Sequence, residues 1–231
     1  PGATAPGHEY ATVLDAAQLA QWVERLQAVE LIAVDTETTG LDPMTARLVG
    51  ISFTDGAGAA AYVPVGHDYP GAPHQLPLSE ALELLRPVLE SEQPAKVGHN
   101  IKYDLSVFAM HGIALGGVRH DSMLESYVLD STGSRHDMDS LAEQRLGRKT
   151  IHYEDVTGKG ARQISFSQVA IDVATSYAAE DADVTLALHR NMWPVLQSTA
   201  GLREVYEQLE MPLVPVLSRM ERRGVKVDAQ M

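Results

Sequence analysis

The sequence predicts an α/β fold with a β-sheet of mixed strand direction. Three strand-like segments lie close together at residues 31–37, 48–54 and 59–65, and short turns around Pro43 and residues 55–56 join them. This spacing is typical of an antiparallel meander. Helical segments follow the strands and can cover the sheet. The length of 231 residues and the hydrophobic content of 45% suit a globular domain with its own core.

A small strand and a helix are expected before the meander. Residues 9–14 are strand-like, and Asp15 can cap a helix over residues 16–29. The predicted inner face of this helix carries Leu19, Trp22, Val23 and Leu26.

Shorter strands alternate with helices after the meander. Ser79 is predicted to cap a helix that ends at Leu89. A strand at residues 96–99 leads into a helix over about 103–110, and another short strand is expected at 118–120.

Aspartates are predicted to cap the next two helices. Asp121 would begin a helix ending near residue 129, and Asp137 or Asp139 a short helix ending at residue 146. The stretch after it is polar and contains glycine, which predicts a loop over residues 147–164. Further helices are expected over residues 167–174 and 177–196, and from a break at 199–201 to 223.

Two acidic residues, Asp35 and Glu37, interrupt the end of the first meander strand. The four apolar residues 31–34 before them predict a strand buried on both faces. The i, i+2 spacing points both acidic side chains to the same side of that strand. Neighbouring carboxylates repel each other, and divalent cations, which prefer oxygen ligands, would stabilise the pair. The alternative is a strand that runs out into a polar turn, and this segment alone leaves both interpretations open.

Two further acids lie in helical segments. Asp104 falls in the first turn of the helix after the strand at 96–99. Tyr177 and Asp181 lie one turn apart on a face that apolar residues continue, so this face is predicted to point inward. Burying an unpaired carboxylate is costly. No basic residue lies within a turn of Asp181 along the chain, which favours a metal ion as its partner.

These acids carry a resemblance to a known family. In their order, Asp35-x-Glu37, Asn100-x-x-x-Asp104 and Tyr177-x-x-x-Asp181 resemble the Tyr-containing branch of the DEDD 3′–5′ exonuclease superfamily. Longer blocks resemble the proofreading domain of bacterial DNA polymerase I, at residues 47–53, 96–104, 123–127, 135–142 and 177–184. The resemblance runs from about residue 29 to 196, and residues 211–219 and 223–228 look like the lead-in to that family's polymerase domain. Five blocks in the same order argue strongly against a chance match.

The resemblance implies a ribonuclease H-like fold and a role for each acid. The implied cofactors are two divalent metal ions, with Mg²⁺ as the first candidate and Mn²⁺ or Zn²⁺ as alternatives. Asp35 would bridge both ions, Glu37 and Asp181 would bind the ion that holds the attacking water, and Asp104 would bind the second ion. Tyr177, which would otherwise be interpreted as a core aromatic, would hydrogen-bond the attacking water with a neutral phenol.

The resemblance also implies contacts with the terminal nucleotides. The matching positions are Leu41, Asn100, Tyr103, Arg135 and Tyr153. Leu41 and Tyr103 would wedge against bases or stack on them, which is sequence-tolerant. Tyr153 stands where the family commonly has Phe, so the ring is kept, whereas His99 departs from a frequent Gln. Without the resemblance these residues would be a turn leucine, core tyrosines and an exposed arginine.

The implied function is a metal-dependent 3′–5′ exodeoxyribonuclease domain that proofreads for an attached DNA polymerase and releases 5′-mononucleotides. The implied partners are a single-stranded or frayed 3′ end of DNA and a polymerase domain in the same longer chain. Residues 1–28 would be a linker and lead-in, 29–198 the exonuclease domain, and 199–231 the start of a truncated polymerase domain. The alternatives are a 3′–5′ exoribonuclease of the same superfamily and a catalytically silent scaffold domain; the presence of all four acids disfavours the silent domain.

The amino-acid composition limits the kinds of protein that this chain can be. A net charge of −13, from 31 acidic and 18 basic residues, argues against a free-standing duplex-binding module. The absence of cysteine excludes disulfides and thiolate metal sites and fits a cytoplasmic protein. No apolar run of membrane-spanning length occurs, and a monomer is expected. The His67–Asp68 and His120–Asp121 pairs are interpreted as chance neighbours.

Overall fold

The computed structural model of the protein describes residues 8–133 and 135–227. Within them, six strands form one sheet in the order β1-β4-β3-β2-β5-β6. The strands are β1 (Glu9–Thr12), β2 (Leu31–Thr38), β3 (Leu48–Thr54), β4 (Ala59–Pro64), β5 (Ala95–Gly98) and β6 (Val118–Asp121).

The sheet combines antiparallel and parallel pairs. Strands β2, β3 and β4 form the predicted antiparallel meander. Strand β1 pairs parallel to β4, β5 parallel to β2, and β6 parallel to β5. The predicted α/β class with a mixed sheet is therefore confirmed.

Helices cover both faces of this sheet. They are α1 (Ala16–Gln27), α2 (Leu78–Leu89), α3 (Ile101–Met110), α4 (Ser122–Leu129), α5 (Met138–Leu141), α6 (Tyr153–Thr157), α7 (Ile171–Ser198), α8 (Ala200–Val205) and α9 (Met211–Arg223). A π-helical turn links α5 to the following loop, and another links α8 to α9.

The two faces of β2 pack against different helices because side chains alternate along a strand. Ile32 and Val34 lie in the main core with residues of α1, α2 and α3. Ala33, on the opposite face, packs against Leu186 of α7. By the same alternation Asp35 and Glu37 point toward α7, and Thr36 points toward α3.

Several helix starts differ from the sequence-based expectation. Helix α2 begins at Leu78, which packs against the core, so its start lies two residues earlier than expected and Ser79 is its second residue rather than its cap. Helix α3 begins at Ile101, a fully buried residue, after Asn100 in the left-handed conformation. Asp121 and Asp137 cap α4 and α5 as predicted, each accepting backbone N–H groups of its helix.

The long helix α7 and the loop before it were predicted least well. Helix α7 is continuous over 28 residues, whereas two helices with a break before Tyr177 were expected. No glycine or proline lies near the expected break, and the Ser176 hydroxyl bonds the Asp172 carbonyl within the helix. The predicted loop at 147–164 contains the short helix α6, and at its start the His152 backbone N–H donates a 3.2 Å hydrogen bond to the Asp155 carboxylate.

The C-terminal helices lie against the sheet domain. The predicted break falls at Thr199, between α7 and α8. Helix α9 contacts α3 through a 2.6 Å ion pair from Lys102 to Glu221 and a 2.9 Å hydrogen bond between the hydroxyls of Ser106 and Ser218. The expected linker at residues 1–7 and the chain end at 228–231 lie outside the described residues.

Across residues 8–133 and 135–227, no helix combines the length and the apolar composition needed to cross a bilayer.

Candidate active site

Three carboxylates converge where the end of β2 meets the middle of α7. Asp35, Glu37 and Asp181 each offer an oxygen atom, and these oxygens all lie within 4.8 Å of one another. The alternation of β2 directs the first two toward α7, and the inward face of α7 supplies the third. A group of oxygen ligands at this spacing is suited to a hard divalent cation.

Because the cluster is largely removed from water, keeping its carboxylates ionised costs free energy unless a cation is bound. Burial raises the pKa of Asp35 to about 7. The pKa of Glu37 is also raised well above its ordinary value, first by burial and then by the negative charge of Asp35 and Asp181. A divalent cation would stabilise the charged forms of the three side chains, since bare carboxylates this close repel one another.

Asp104 approaches the cluster from the other layer. It is the fourth residue of α3, is almost fully buried, and accepts a 2.5 Å hydrogen bond from the Thr36 hydroxyl. Burial, and next the charge of Asp35, raise its pKa well above the ordinary range. The structure thus brings all four predicted acids to one end of β2, with Asp104 beside the three-carboxylate group.

Tyr177 lies one helical turn before Asp181. Burial and then the negative charge of Asp181 raise the pKa of its phenol, so the hydroxyl keeps its proton. Its ring contacts Phe166 with centroids 5.7 Å apart and Tyr153 with centroids 6.2 Å apart. Tyr177 is therefore part of an aromatic wall as well as a neighbour of the acids.

The predicted nucleotide contacts surround this site. Leu41 is 96% exposed in the turn after β2. The Tyr103 hydroxyl donates a 2.6 Å hydrogen bond to the Gly40 carbonyl and lies 2.5 Å from the Thr38 hydroxyl, so Tyr103 fixes the turn that presents Leu41. Tyr153 is 41% exposed and stacks on Phe166.

The other two residues predicted to contact nucleotides are Asn100 and Arg135. Asn100 precedes α3 with φ of 60°, and its backbone N–H bonds the Asp121 carboxylate. The Arg135 side chain is mostly exposed, with its Nε 3.4 Å from the Asp137 carboxylate.

Comparison with known proteins identifies the family of this chain. A family model described as 3′–5′ exonuclease matches residues 10–197, which is most of the chain. The chain belongs to the 3′–5′ exonuclease family. The predicted membership in the exonuclease domain of the DNA polymerase I family is thereby confirmed.

Curated relatives of this exonuclease are longer proteins. DNA polymerase I of Pseudomonas aeruginosa is 52% identical over 225 residues, covering 96% of this chain and 25% of that protein. DNA polymerase I of Rhizobium leguminosarum is 46% identical, covering 96% of this chain and 23% of that protein. The chain therefore spans about a quarter of the length of these relatives.

Solved structures support the fold of the exonuclease. The POL domain of Pol1 from M. smegmatis, in complex with DNA primer-template and dNTP, matches with a TM-score of 0.71 at 20% identity, covering 94% of this chain and 33% of that one. Brucella melitensis NrnC with bound Mg²⁺ matches with a TM-score of 0.67 at 20% identity, covering 96% and 98%. The ribonuclease H-like fold implied by the sequence resemblance is confirmed by such neighbours.

An ion-pair network behind the exonuclease acids was missed from the sequence. Arg148 binds the Asp183 carboxylate at 2.7 Å and the Glu180 carboxylate at 3.1 Å, and also donates to the Tyr10 hydroxyl. These contacts clamp the residues on either side of Asp181 and leave Asp181 itself facing β2. The sequence did not reveal this network because Arg148 is far along the chain from its partners on α7, and no local pattern links them.

Phe166 was also missed. It is fully buried between Tyr153 and Tyr177 and supports both rings. The only sign of Phe166 in the sequence is that it is a lone aromatic residue in the polar segment before α7.

Proposed function

We propose that this exonuclease acts on DNA, hydrolysing the 3′-terminal phosphodiester to release 5′-mononucleotides and so proofreading for a DNA polymerase I. The observation that carries the proposal is the meeting of Asp35, Glu37 and Asp181 within 4.8 Å, beside Asp104. No structural purpose explains four acids at one point, three of them buried, whereas phosphodiester hydrolysis by metal ions requires such a group.

The residues present fit divalent metal ions. All four donors are carboxylates, the ligand type that Mg²⁺ prefers, and burial raises the pKa of each, so a bound cation would stabilise their charged forms. Asp35 would contact both of two ions, Glu37 and Asp181 one, and Asp104 the other. When bound, the ions activate water and stabilise charge on the phosphate. Mg²⁺ is the first candidate, with Mn²⁺ or Zn²⁺ as alternatives.

Tyr177 would orient the attacking water. Its phenol is neutral because burial and Asp181 raise its pKa, so it can donate a hydrogen bond but cannot act as the general base. The aromatic wall of Tyr153, Phe166 and Tyr177 would hold the last nucleotide beside the acids. Leu41, Asn100, Tyr103 and Arg135 would complete the contacts with the 3′ end.

The relatives suggest the setting of this activity. Since they are DNA polymerases I much longer than this chain, we propose a polymerase domain in the same longer polypeptide, beginning at residues 199–231, after an exonuclease domain at 29–198 and a lead-in at 1–28. The domain would work as a monomer in the bacterial cytoplasm. Its acidic charge suits a site that takes a few unpaired nucleotides and leaves the duplex to the polymerase domain.

Digestion of labelled single strands tests the proposal. The chain should shorten a 5′-labelled DNA strand stepwise from its 3′ end with Mg²⁺, and EDTA should stop this reaction. A faster rate on unstructured RNA than on DNA would select the exoribonuclease alternative. If neither the DNA strand nor the RNA strand is shortened at any concentration of Mg²⁺ or Mn²⁺, the silent scaffold domain would be selected.

A further inference from the structure

We propose that His120, Glu125 and His189 form a second metal site, suited to Zn²⁺ or a similar transition-metal ion, at the junction of β6, α4 and α7. Each residue comes from a different element, and each offers one ligand atom within 4.8 Å of the others. None of the three belongs to the carboxylate group of the active site.

The ligand atoms already face one another. Nδ1 of His189 lies 2.7 Å from Oε1 of Glu125, and Nδ1 of His120 lies 3.5 Å from the same oxygen. The two imidazole rings lie with centroids 4.2 Å apart. Ligands of a tetrahedral Zn²⁺ are separated by about 3.3 Å, given metal–ligand distances near 2.0–2.1 Å. The Glu125–His120 separation is already close to this value, and the Glu125–His189 pair would have to open to admit an ion.

Glu125 brings a half-satisfied carboxyl group to this junction, and burial raises its pKa to about 7. Its side chain is fully buried, yet its Oε2 makes no hydrogen bond within the described part of the chain. Nδ1 of His120 is likewise buried without a hydrogen bond there. A buried carboxylate oxygen and a buried imidazole nitrogen that lack partners are costly, and a shared cation would satisfy both.

The donor types select the ion. Two imidazole nitrogens and one carboxylate suit Zn²⁺, whereas the all-carboxylate active site suits Mg²⁺. Burial lowers the pKa of His189 to about 4 and also lowers that of His120, so both rings are neutral at pH 7, as metal ligands must be. Each ring would then carry its proton on Nε2 and leave Nδ1 for the ion.

A cleft walled by aromatic rings lies beside the site. His120, Trp193 and Tyr206 line a cleft of about 640 Å³. The Trp193 ring contacts both imidazoles, with centroids 4.6 Å from His120 and 6.0 Å from His189. The cleft would provide an entry path and a place for a water molecule as the fourth ligand.

A bound ion would have a structural effect. Tyr206, which follows α8, donates to Oε1 of Glu125 at 3.4 Å and accepts from the backbone N–H of Asp121 at 2.9 Å. An ion at Glu125 would therefore connect β6, α4 and α7 at the point where the C-terminal helices contact them. We expect it to stabilise the fold without taking part in hydrolysis.

Metal titration in the full chain tests this site without interference from the active site. The Asp35→Ala/Asp181→Ala double variant removes two of the active-site ligands. Co²⁺ titrated into this variant should give one equivalent of binding with the intense visible absorption of tetrahedral cobalt, and Zn²⁺ should displace it. Saturating Zn²⁺ should also raise the Tm of the variant by several degrees.

Two further substitutions identify the ligands. In the same background, His120→Ala and His189→Gln should each weaken Co²⁺ binding at least tenfold and remove the Tm increase, while His74→Ala, at an exposed site, should leave both unchanged. Circular dichroism would show that each variant is folded. Absence of the cobalt signal in the double variant, or an equal signal after His120→Ala, would overturn the proposal and leave a hydrogen-bonded His189–Glu125 pair. Either result is independent of whether the active-site acids hydrolyse DNA.

Discussion

The Thr36 hydroxyl donates a 2.5 Å hydrogen bond to the Asp104 carboxylate and so joins β2 to α3. Thr36 lies between Asp35 and Glu37, which point to the opposite face of the strand toward α7. Three consecutive residues of β2 thus contact both layers of helices at the active site. The single strand β2 therefore fixes the carboxylates of α3 and α7 relative to each other.

Thr36→Val should weaken metal binding at Asp104. Valine has the shape of threonine but cannot donate, so the buried Asp104 carboxylate loses the hydrogen bond that lowers its pKa. Residues that orient metal ligands typically contribute about 10–100-fold in metal affinity or activity. The Mg²⁺ concentration for half-maximal exonuclease rate should rise by about that factor.

Thr54→Val is the matched control for this substitution. Thr54 is also a fully buried sheet threonine, but its hydroxyl donates to the Ala59 carbonyl, away from the acids. It should lower the Tm and leave the Mg²⁺ requirement unchanged. An equal Mg²⁺ requirement in both variants would contradict a role for Thr36 in orienting Asp104.

Asp181→Ala and Asp183→Ala should have opposite effects on stability. Removing Asp181 relieves repulsion among the active-site acids, so activity is lost while the Tm in EDTA stays equal or rises. Asp35→Ala should behave like Asp181→Ala. Removing Asp183 breaks its 2.7 Å ion pair with Arg148 and should cost roughly 3 kcal/mol of stability. Thermal melts in EDTA measure both, and a large Tm loss in Asp181→Ala would show that this acid is structural.

The stability of the metal-free protein should fall as pH rises from about 4 to about 7. Burial raises the pKa of Asp35 to about 7 in the folded chain, against about 4 in the unfolded chain. The folded state therefore binds the proton more tightly, and its advantage is complete below pH 4 and lost as pH rises through 7. The measurement is the Tm of wild type minus that of Asp35→Asn, in EDTA, at each pH.

This Tm difference should become more negative with pH, because asparagine does not titrate. Mg²⁺ should reduce the decline of wild type as pH rises toward 7, since the ion binds the charged acids. A difference that stays constant from pH 4 to pH 8 would contradict the raised pKa of Asp35.

The sequence was most informative where local pattern and function coincide. The meander strands follow from apolar runs separated by short turns, and the caps Asp121 and Asp137 follow from aspartates that precede apolar helical segments. The acids of β2 could be placed on one face because the strand period is two. Their meeting with Asp181 was available only through the family resemblance, since no periodicity predicts which helix covers which strand.

The errors came from interactions that are distant in sequence or depend on packing. A continuous α7 was missed because contacts with the sheet, which the local sequence does not reveal, hold the expected break: Thr175 is buried there, with its hydroxyl 2.7 Å from that of Thr12 in β1. Arg148 was unassigned because its partners lie on α7 and β1. The grouping of His120 with Glu125 and His189 was missed because three separate elements supply its members.

Tyr177→Phe should lower kcat by about 10–10³-fold while leaving the Mg²⁺ requirement nearly unchanged. The substitution removes one hydroxyl but keeps the ring that contacts Phe166, and one positioned polar group contributes about this much. Single-turnover digestion of a labelled strand measures the chemical step. Tyr153→Phe is the control, because its proposed contact uses only the ring, and its rate should stay near that of wild type. Wild-type turnover in Tyr177→Phe would make Tyr177 a core residue.

The exonuclease should prefer unpaired 3′ ends without reading their sequence. The proposed contacts of Leu41, Tyr103 and Tyr153 are apolar or aromatic surfaces, two of them well exposed, and every base offers a face to such surfaces. A matched end must first be melted, which costs a few kcal/mol, whereas a mismatched end has already lost most of its pairing. The net charge of −13 adds to this preference by repelling intact duplex. Single strands ending in each of the four bases should be digested at similar rates, and a matched duplex end clearly more slowly than a mismatched one. Equal rates on matched and mismatched ends would rule out proofreading selectivity in this domain, even with the nuclease chemistry intact.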